Sequence, residues 1–198
     1  MDVLEAIETR RSIGKVKPDP VPQELIERVL AAATWAPNHH HTEPWRFFVL
    51  TGEGRRPLGR LLAELERAKL SDPDSQQSQA LLASQEAKPF RAPVVIAVGV
   101  VPSADPRVEK VEEMAAVSAA VQNMLLAAHA LGLGAIWRTG SATYQSEMKR
   151  LFSLTERDEL AGFVYLGFPD MEIKEGRRSP FQEKTVWLKQ EPWGLPRR

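Results

Sequence analysis

Apolar positions recur along this chain with two different periods. Val3, Leu4 and Ile7 follow at helical spacing behind Asp2 and Glu5, a pair placed like a capping box. This predicts a first helix ending near Arg10 and Arg11. Pro18, Pro20 and Pro22 then require an extended connector. Ile26, Val29, Leu30 and Ala33 give a second helix one apolar face, and Pro37 stops it. Residues 45–50 read as a strand, with Gly52-Glu53-Gly54 as the turn after it. Leu58, Leu61, Leu62 and Leu65 mark a third amphipathic helix. Residues 71–88 are polar and poorly periodic, which predicts a mobile excursion with one helix around 79–86.

The second half is more apolar. Residues 93–101 form a continuous β-branched run, the mark of a strand buried on both faces. A long helix is predicted from about Val108, a short strand over 135–138, a helix over 145–152 and a strand over 162–168. From Pro169 onward periodicity is weak. This C-terminal extension, 169–198, is expected to wrap a partner, with Val186-Trp187-Leu188 as an added strand. There is no repeat and no linker, and helices and strands do not alternate strictly. The pattern fits one α+β domain over 1–198, a mixed β-sheet flanked by helices, better than a doubly wound parallel sheet.

Composition narrows the chemistry. Among 198 residues there is no cysteine, so disulfides, thiolate catalysis and cysteine-held metal centres are excluded. That composition fits a reducing cytoplasm. Formal net charge is zero, which gives no reason to expect nucleic-acid binding. The N-terminus lacks the basic and apolar regions of a secretory signal. From Met114 to Trp137 there is no charged side chain, yet the stretch is rich in alanine and carries Ser118, Gln122, Asn123 and His129. It reads as a helix buried in a soluble core or at a subunit interface, not as a membrane span.

Three short stretches carry candidate chemistry. The first is Arg10-Arg11-Ser12. Arginines favour the last turn of a helix, where they offset its dipole, and two adjacent ones point about 100° apart. The second is the loop Ala36-Pro37-Asn38-His39-His40-His41-Thr42-Glu43-Pro44-Trp45, held open by its prolines. Its three histidines suggest a metal site, but consecutive histidines on a loop rarely converge on one ion, and no second cluster completes a shell. Solvent exposure explains at least His40. The third is Trp137-Arg138-Thr139, ending at Gly140. A Trp at a strand end is usually core, whereas a buried Arg138 needs an anionic or polar partner. Gly132-Leu133-Gly134 starts like a dinucleotide fingerprint, but it lacks the third glycine and follows a helix. Ser12-Ile13-Gly14-Lys15 lacks the companion motifs of a Ser-x-x-Lys enzyme.

Together these motifs resemble the nitroreductase-like flavin reductases, most nearly the small YdjA-type members, over nearly the whole chain. The resemblance implies a homodimer with flavin mononucleotide (FMN) at its interface, and NADH or NADPH as co-substrate. Arg10, Arg11, Ser12, Trp137, Arg138 and Thr139 match flavin-contacting positions. The loop residues Trp35, Pro37, Asn38, His39 and His41 match positions of which Trp35 and His39 reach the partner's flavin. Ala127, Ala128, His129, Ala130, Leu131 and Gly132 match a nicotinamide-nucleotide segment. Arg178 matches a basic residue near the C-terminus that completes the phosphate site.

The pattern departs in three places. Gly14 stands where relatives often carry a cation, His41 where many have Asn, and Glu43 where many have Gln. No side-chain nucleophile and no metal are implied, since N5 of the flavin carries the hydride chemistry. The implied activity is NAD(P)H-dependent reduction of nitroaromatics, quinones or similar acceptors. A non-catalytic flavin carrier or sensor is the alternative, and a metal-dependent hydrolase built on His39–His41 the more distant one.

Overall fold

A computed structural model describes residues 1–189. Its helices are α1 (Val3–Thr9), α2 (Gln23–Ala33), α3 (Arg56–Arg67), α4 (Gln76–Glu86), α5 (Lys110–Ala130) and α6 (Ser146–Leu151). Its strands are β1 (Trp45–Thr51), β2 (Val94–Val100), β3 (Gly134–Arg138) and β4 (Glu159–Gly167). The strands form one sheet in the order β1-β2-β4-β3. All three pairings are antiparallel, with Val49 opposite Ile96, Ile96 opposite Val164 and Trp137 opposite Val164. The expected mixed sheet is thus antiparallel throughout among the described residues.

Every residue of β2 is buried, as its unbroken apolar run predicts. Its alternate side chains feed two cores. On one face Val94, Ile96, Val98 and Val100 pack with α2 and α5 through Val29, Val117, Val121 and Met124. On the other, Val95 and Ala97 pack with Leu58, Met148, Phe152, Leu160 and Tyr165. The result is three layers, with helices on both sides of the sheet.

The segment 71–88 contains an eleven-residue helix, longer than its sequence suggests. Ser75 caps α4 by accepting from the Ser78 N–H, and Leu82 is buried. The helix lies so close to α3 that any Cβ on Gly59 would overlap the Glu86 carbonyl oxygen. Contact across a glycine, not periodicity, holds it. Residues 186–188 are exposed and form no strand in the single chain.

The β2–β4 pairing slips by one residue between Val98 and Gly99. The bulge leaves the Ala161 carbonyl free to accept from Trp137 Nε1 at 3.0 Å. Gly162 beside it has φ +138°, and a Cβ there would meet Trp137 Nε1 at 2.5 Å and the Arg138 carbonyl at 2.7 Å. Gly162→Ala is therefore expected to destabilise the fold by about 2–3 kcal/mol in urea unfolding, through backbone strain and overlap together.

Candidate functional site

At one end of α5 the motif Arg10-Arg11-Ser12 follows the last turn of α1. The Ile13 N–H donates to the Ala135 carbonyl at 3.0 Å, so the segment runs along the free edge of β3. The two arginines part company. Arg11 turns back on the chain: its Nη1 donates to the carbonyls of Glu8 and Arg10, both at 2.7 Å, and its Nε donates to Lys174 O at 3.2 Å. It closes the end of α1 and clamps the C-terminal extension. Arg10 is half-buried, and its Nε is buried without a hydrogen-bond partner. Burial, then the charges of Arg11 and Arg178, push its pKa down. The extension thus brings Arg178 within electrostatic reach of Arg10.

Beneath these arginines is His129, in a cavity of about 160 Å³ that also includes Gly132 and Ile173. The Thr9 hydroxyl donates to Glu5 O at 2.6 Å, so His129 Nε2 is the donor in its 2.8 Å contact with Thr9. Burial lowers the His129 pKa below its ordinary 6.5, and Arg10 and Arg11 lower it further, against an opposing pull from Glu5. The stretch 127–132 therefore ends against the arginine cluster, with Ala128 in the core.

Arg138 ends β3 on the face of the sheet opposite α5. Its guanidinium carbon lies 5.3 Å from the centre of the Tyr165 ring, and its Nε is buried without a partner. Its Nη2 is the nearest atom to where a Cβ on Gly14 would stand, at 3.7 Å. Arg138 therefore supplies a cation beside the position where Gly14 has none. Arg138, exposed Thr139 and Tyr165 border a cavity of about 330 Å³ whose other walls include Leu62, Leu65 and Arg91. None of Arg10, Arg11, Arg138 and Arg178 forms an ion pair among the described residues. Arg10 and Arg178, within electrostatic reach of each other and without an ion pair among the described residues, suit a multiply charged anion.

The histidine loop lies at the other end of α5. Trp35 is 86% exposed just beyond α2. Asn38 braces the loop from within, its Oδ1 accepting from the Glu43 N–H at 3.0 Å. His40, His41 and Glu43 have φ of 59°, 53° and 48°. Such backbone costs on the order of 1 kcal/mol per residue and persists only where its surroundings impose it. The first turn of α5 imposes it. Buried Glu113 accepts from the Thr42 hydroxyl at 2.5 Å and from the Ser103 N–H at 3.0 Å, while Glu112 Oε2 meets His39 Nδ1 at 2.7 Å. His40 stacks on His39 with ring centres 3.9 Å apart. Among the described residues no three His, Cys, Asp or Glu side chains gather as metal ligands.

The two ends do not meet within one chain. Glu112 and His129 are separated by seventeen residues of α5, about 25 Å of helix rise. A profile of the Nitroreductase family matches residues 7–168. The chain belongs to the nitroreductase family.

This nitroreductase is 34% identical over 181 residues to Escherichia coli K12 YdjA, which carries the provisional name NAD(P)H nitroreductase. The match spans 91% of this chain and 95% of YdjA. Its fold matches a nitroreductase-like protein from Bacillus cereus with TM-score 0.79 at 29% identity, over 96% and 97% of the two chains. It also matches a nitroreductase-type protein from Desulfovibrio desulfuricans, solved in complex with FMN, with TM-score 0.69 at 29% identity, over 98% and 99%.

Within this family frame, the structure brings Arg178 within reach of Arg10, sets Arg138 against Tyr165 in a separate cavity, holds His39 at the first turn of α5 with Pro37, Asn38 and His41 in the same loop, and leaves Trp35 beside Ala32, whose carbonyl also accepts from Asn123. Sequence reasoning missed Glu112 and Glu113. Their signal was faint: two acids in the first turn of a helix are ordinary dipole partners.

Two outcomes follow from this geometry. Glu113→Ala strands the Thr42 hydroxyl and the Ser103 N–H, with an expected loss of about 1–3 kcal/mol in denaturant unfolding. His129 binds its proton less readily folded than unfolded. Its contribution to stability is complete above pH 6.5 and lost as pH falls through the lower folded value. Inorganic phosphate held by Arg10 should offset the arginine field and move the His129 NMR titration upward; an unmoved titration removes the anion from this cluster.

Proposed function

We propose that this nitroreductase binds FMN and works as a homodimeric NAD(P)H oxidoreductase, reducing nitroaromatics, quinones or similar electron-poor acceptors. The observation that carries the reading is the set of unpaired guanidiniums, with Arg10 Nε and Arg138 Nε buried and partnerless. Buried donors without partners are costly, and a bound anion satisfies them. A phosphomonoester with roughly −1.5 to −2 charges fits Arg10, Arg178 and the exposed Ser12. Arg138, beside Gly14 and Tyr165, suits the electron-rich edge of a reduced ring. When bound, FMN supplies a centre that takes hydride from NADH or NADPH and yields it to a second substrate in the same slot. The protein's own work is to bind, orient and exclude water.

The dimer is supported by the separation along α5. One chain's His39 is held at the first turn of α5, about 25 Å of helix from the His129 that lies beneath its own Arg10, and a second copy's loop is proposed to complete the pocket. Two uncovered apolar surfaces favour such pairing. On α1, Val3, Leu4 and Ile7 face solvent and only Ala6 is buried. On α5, Val111, Ala115 and Gln122 form an uncharged exposed side. The extension with Val186, Trp187 and Leu188, all exposed, is proposed to lie on that second copy. No helix among the described residues is long and apolar enough to cross a membrane, and we place the enzyme in the cytoplasm.

The absorption spectrum of the purified protein tests the cofactor. Arg10→Ala and Arg138→Ala are each expected to lower bound FMN at least tenfold with the circular dichroism unchanged; a variant retaining full FMN removes that residue from the site. Anaerobic NADPH should bleach the flavin and a quinone should restore it. A flavin that NADPH leaves oxidised marks a carrier instead of an enzyme.

A further inference from the structure

The first turn of α5 offers two adjacent glutamates to the histidine loop, and they do different work. Glu113 is buried with both oxygens engaged by Thr42 and Ser103. Glu112 is half exposed, and its carboxylate hydrogen-bonds to His39 at 2.7 Å and to no other side chain among the described residues. An ionised carboxylate accepts and cannot donate, so this contact needs the proton on Nδ1. Nε2 has no partner among the described residues, and the His39 side chain is 62% exposed in the single chain. A histidine whose Nδ1–H is held by a carboxylate takes up and releases its second proton at Nε2. An ordinary surface ion pair does not require a distorted backbone. Here three left-handed residues, the Asn38 brace and the Thr42–Glu113 bond hold the loop so that His39 meets Glu112.

We infer that Glu112 and His39 form a proton-donating dyad, in which Glu112 is the positioning residue and His39 Nε2 gives a proton to the acceptor being reduced at the neighbouring copy's site. The inference rests on the function proposed above. A quinone that takes up hydride, drawn ultimately from NAD(P)H, becomes a hydroquinone anion. Its phenolate oxygen then takes the proton from Nε2, forming an O–H bond as the N–H bond breaks. His39 is left neutral with Nδ1–H still on Glu112, and solvent returns a proton to Nε2. NAD(P)H is oxidised and the quinone reduced by one electron pair. The charged and titratable groups around the dyad are Glu113 on α5, His40, His41 and Glu43 in the loop, and Arg46 on the Glu43 carbonyl at 3.3 Å. Asp105, within electrostatic reach of His40, and its partner Arg107 lie before α5, with Glu109 and Lys110 at its start.

Two measurements test the dyad. In protein carrying ¹⁵N-labelled histidine, with His39 assigned by its loss in His39→Gln, neutral His39 should show a protonated Nδ1. Glu112→Ala should shift it toward the Nε2–H form. A His39 already in the Nε2–H form, or one indifferent to Glu112→Ala, overturns the positioning role.

In rapid mixing, flavin-loaded protein reduced by NADPH meets either a quinone or ferricyanide, which takes electrons without protons. The quinone-to-ferricyanide rate ratio is expected to fall about tenfold in Glu112→Ala and about a hundredfold in His39→Gln, compared at equal flavin content. An unchanged ratio in flavin-loaded variants overturns the donor role alone. A protein that takes up no flavin overturns both the function proposed above and the donor role, while the tautomer lock remains separately measurable.

Discussion

Helix α5 is the rigid spacer on which the chemistry of this protein depends. Its buried side packs against the fully buried strand β2 and against α2, through Val117, Val121 and Met124. It can neither bend nor slide without opening the larger of the two cores. Its ends therefore stand at a set separation. One end holds His129 beneath Arg10 and Arg11, and the other holds the histidine loop through Glu112 and Glu113. An uncharged outer side leaves the same helix free to meet another copy of itself. Under the proposed function, a site assembled from both ends belongs to two chains, and ligand binding and association are then coupled.

The cationic end depends on the sheet edge. β3 is the last strand of the sheet, and the chain after α1 lies along it through the Ile13–Ala135 hydrogen bond. That contact brings Gly14 next to Arg138 and sets Arg10 beside Ala135 and Leu133. The bulge in β4 seats the Trp137 indole, leaving Arg138 on the opposite face against Tyr165. Each cation is thus placed by backbone geometry, and neither Arg10 nor Arg138 forms an ion pair among the described residues. Arrangements that leave donors unpaired in this way are characteristic of binding sites and costly elsewhere.

Much of this was legible in the residues themselves. The β-branched run of β2, the uncharged stretch of α5 from Met114 onward and the proline-bounded loop were each recognisable, because burial and proline stereochemistry leave direct marks on composition. Family motifs named Arg10, Trp137, Arg138 and His39 as candidates. Other features left weaker marks. α4 looks polar and aperiodic, since its contact with α3 is made through Gly59 and a single buried leucine. Arg11 resembles Arg10 in sequence, yet its guanidinium is spent on backbone carbonyls. The strand directions were not readable, because a four-stranded sheet with helices on both faces buries its residues alike whichever way each strand runs.

What the sequence determined alone was local: which stretches are helical or extended, which are buried, and which residue types could face an anion. These follow from side-chain periodicity and from the stereochemistry of proline and glycine, and both act over a few residues. Tertiary structure decided the rest. It left Arg10 Nε unpaired while spending Arg11 on carbonyls, brought Arg138 beside Gly14, paired Glu112 with His39, and set that pair and His129 toward opposite ends of one helix. Those outcomes depend on contacts between residues tens of positions apart, where pattern along the chain carries no information about distance in space.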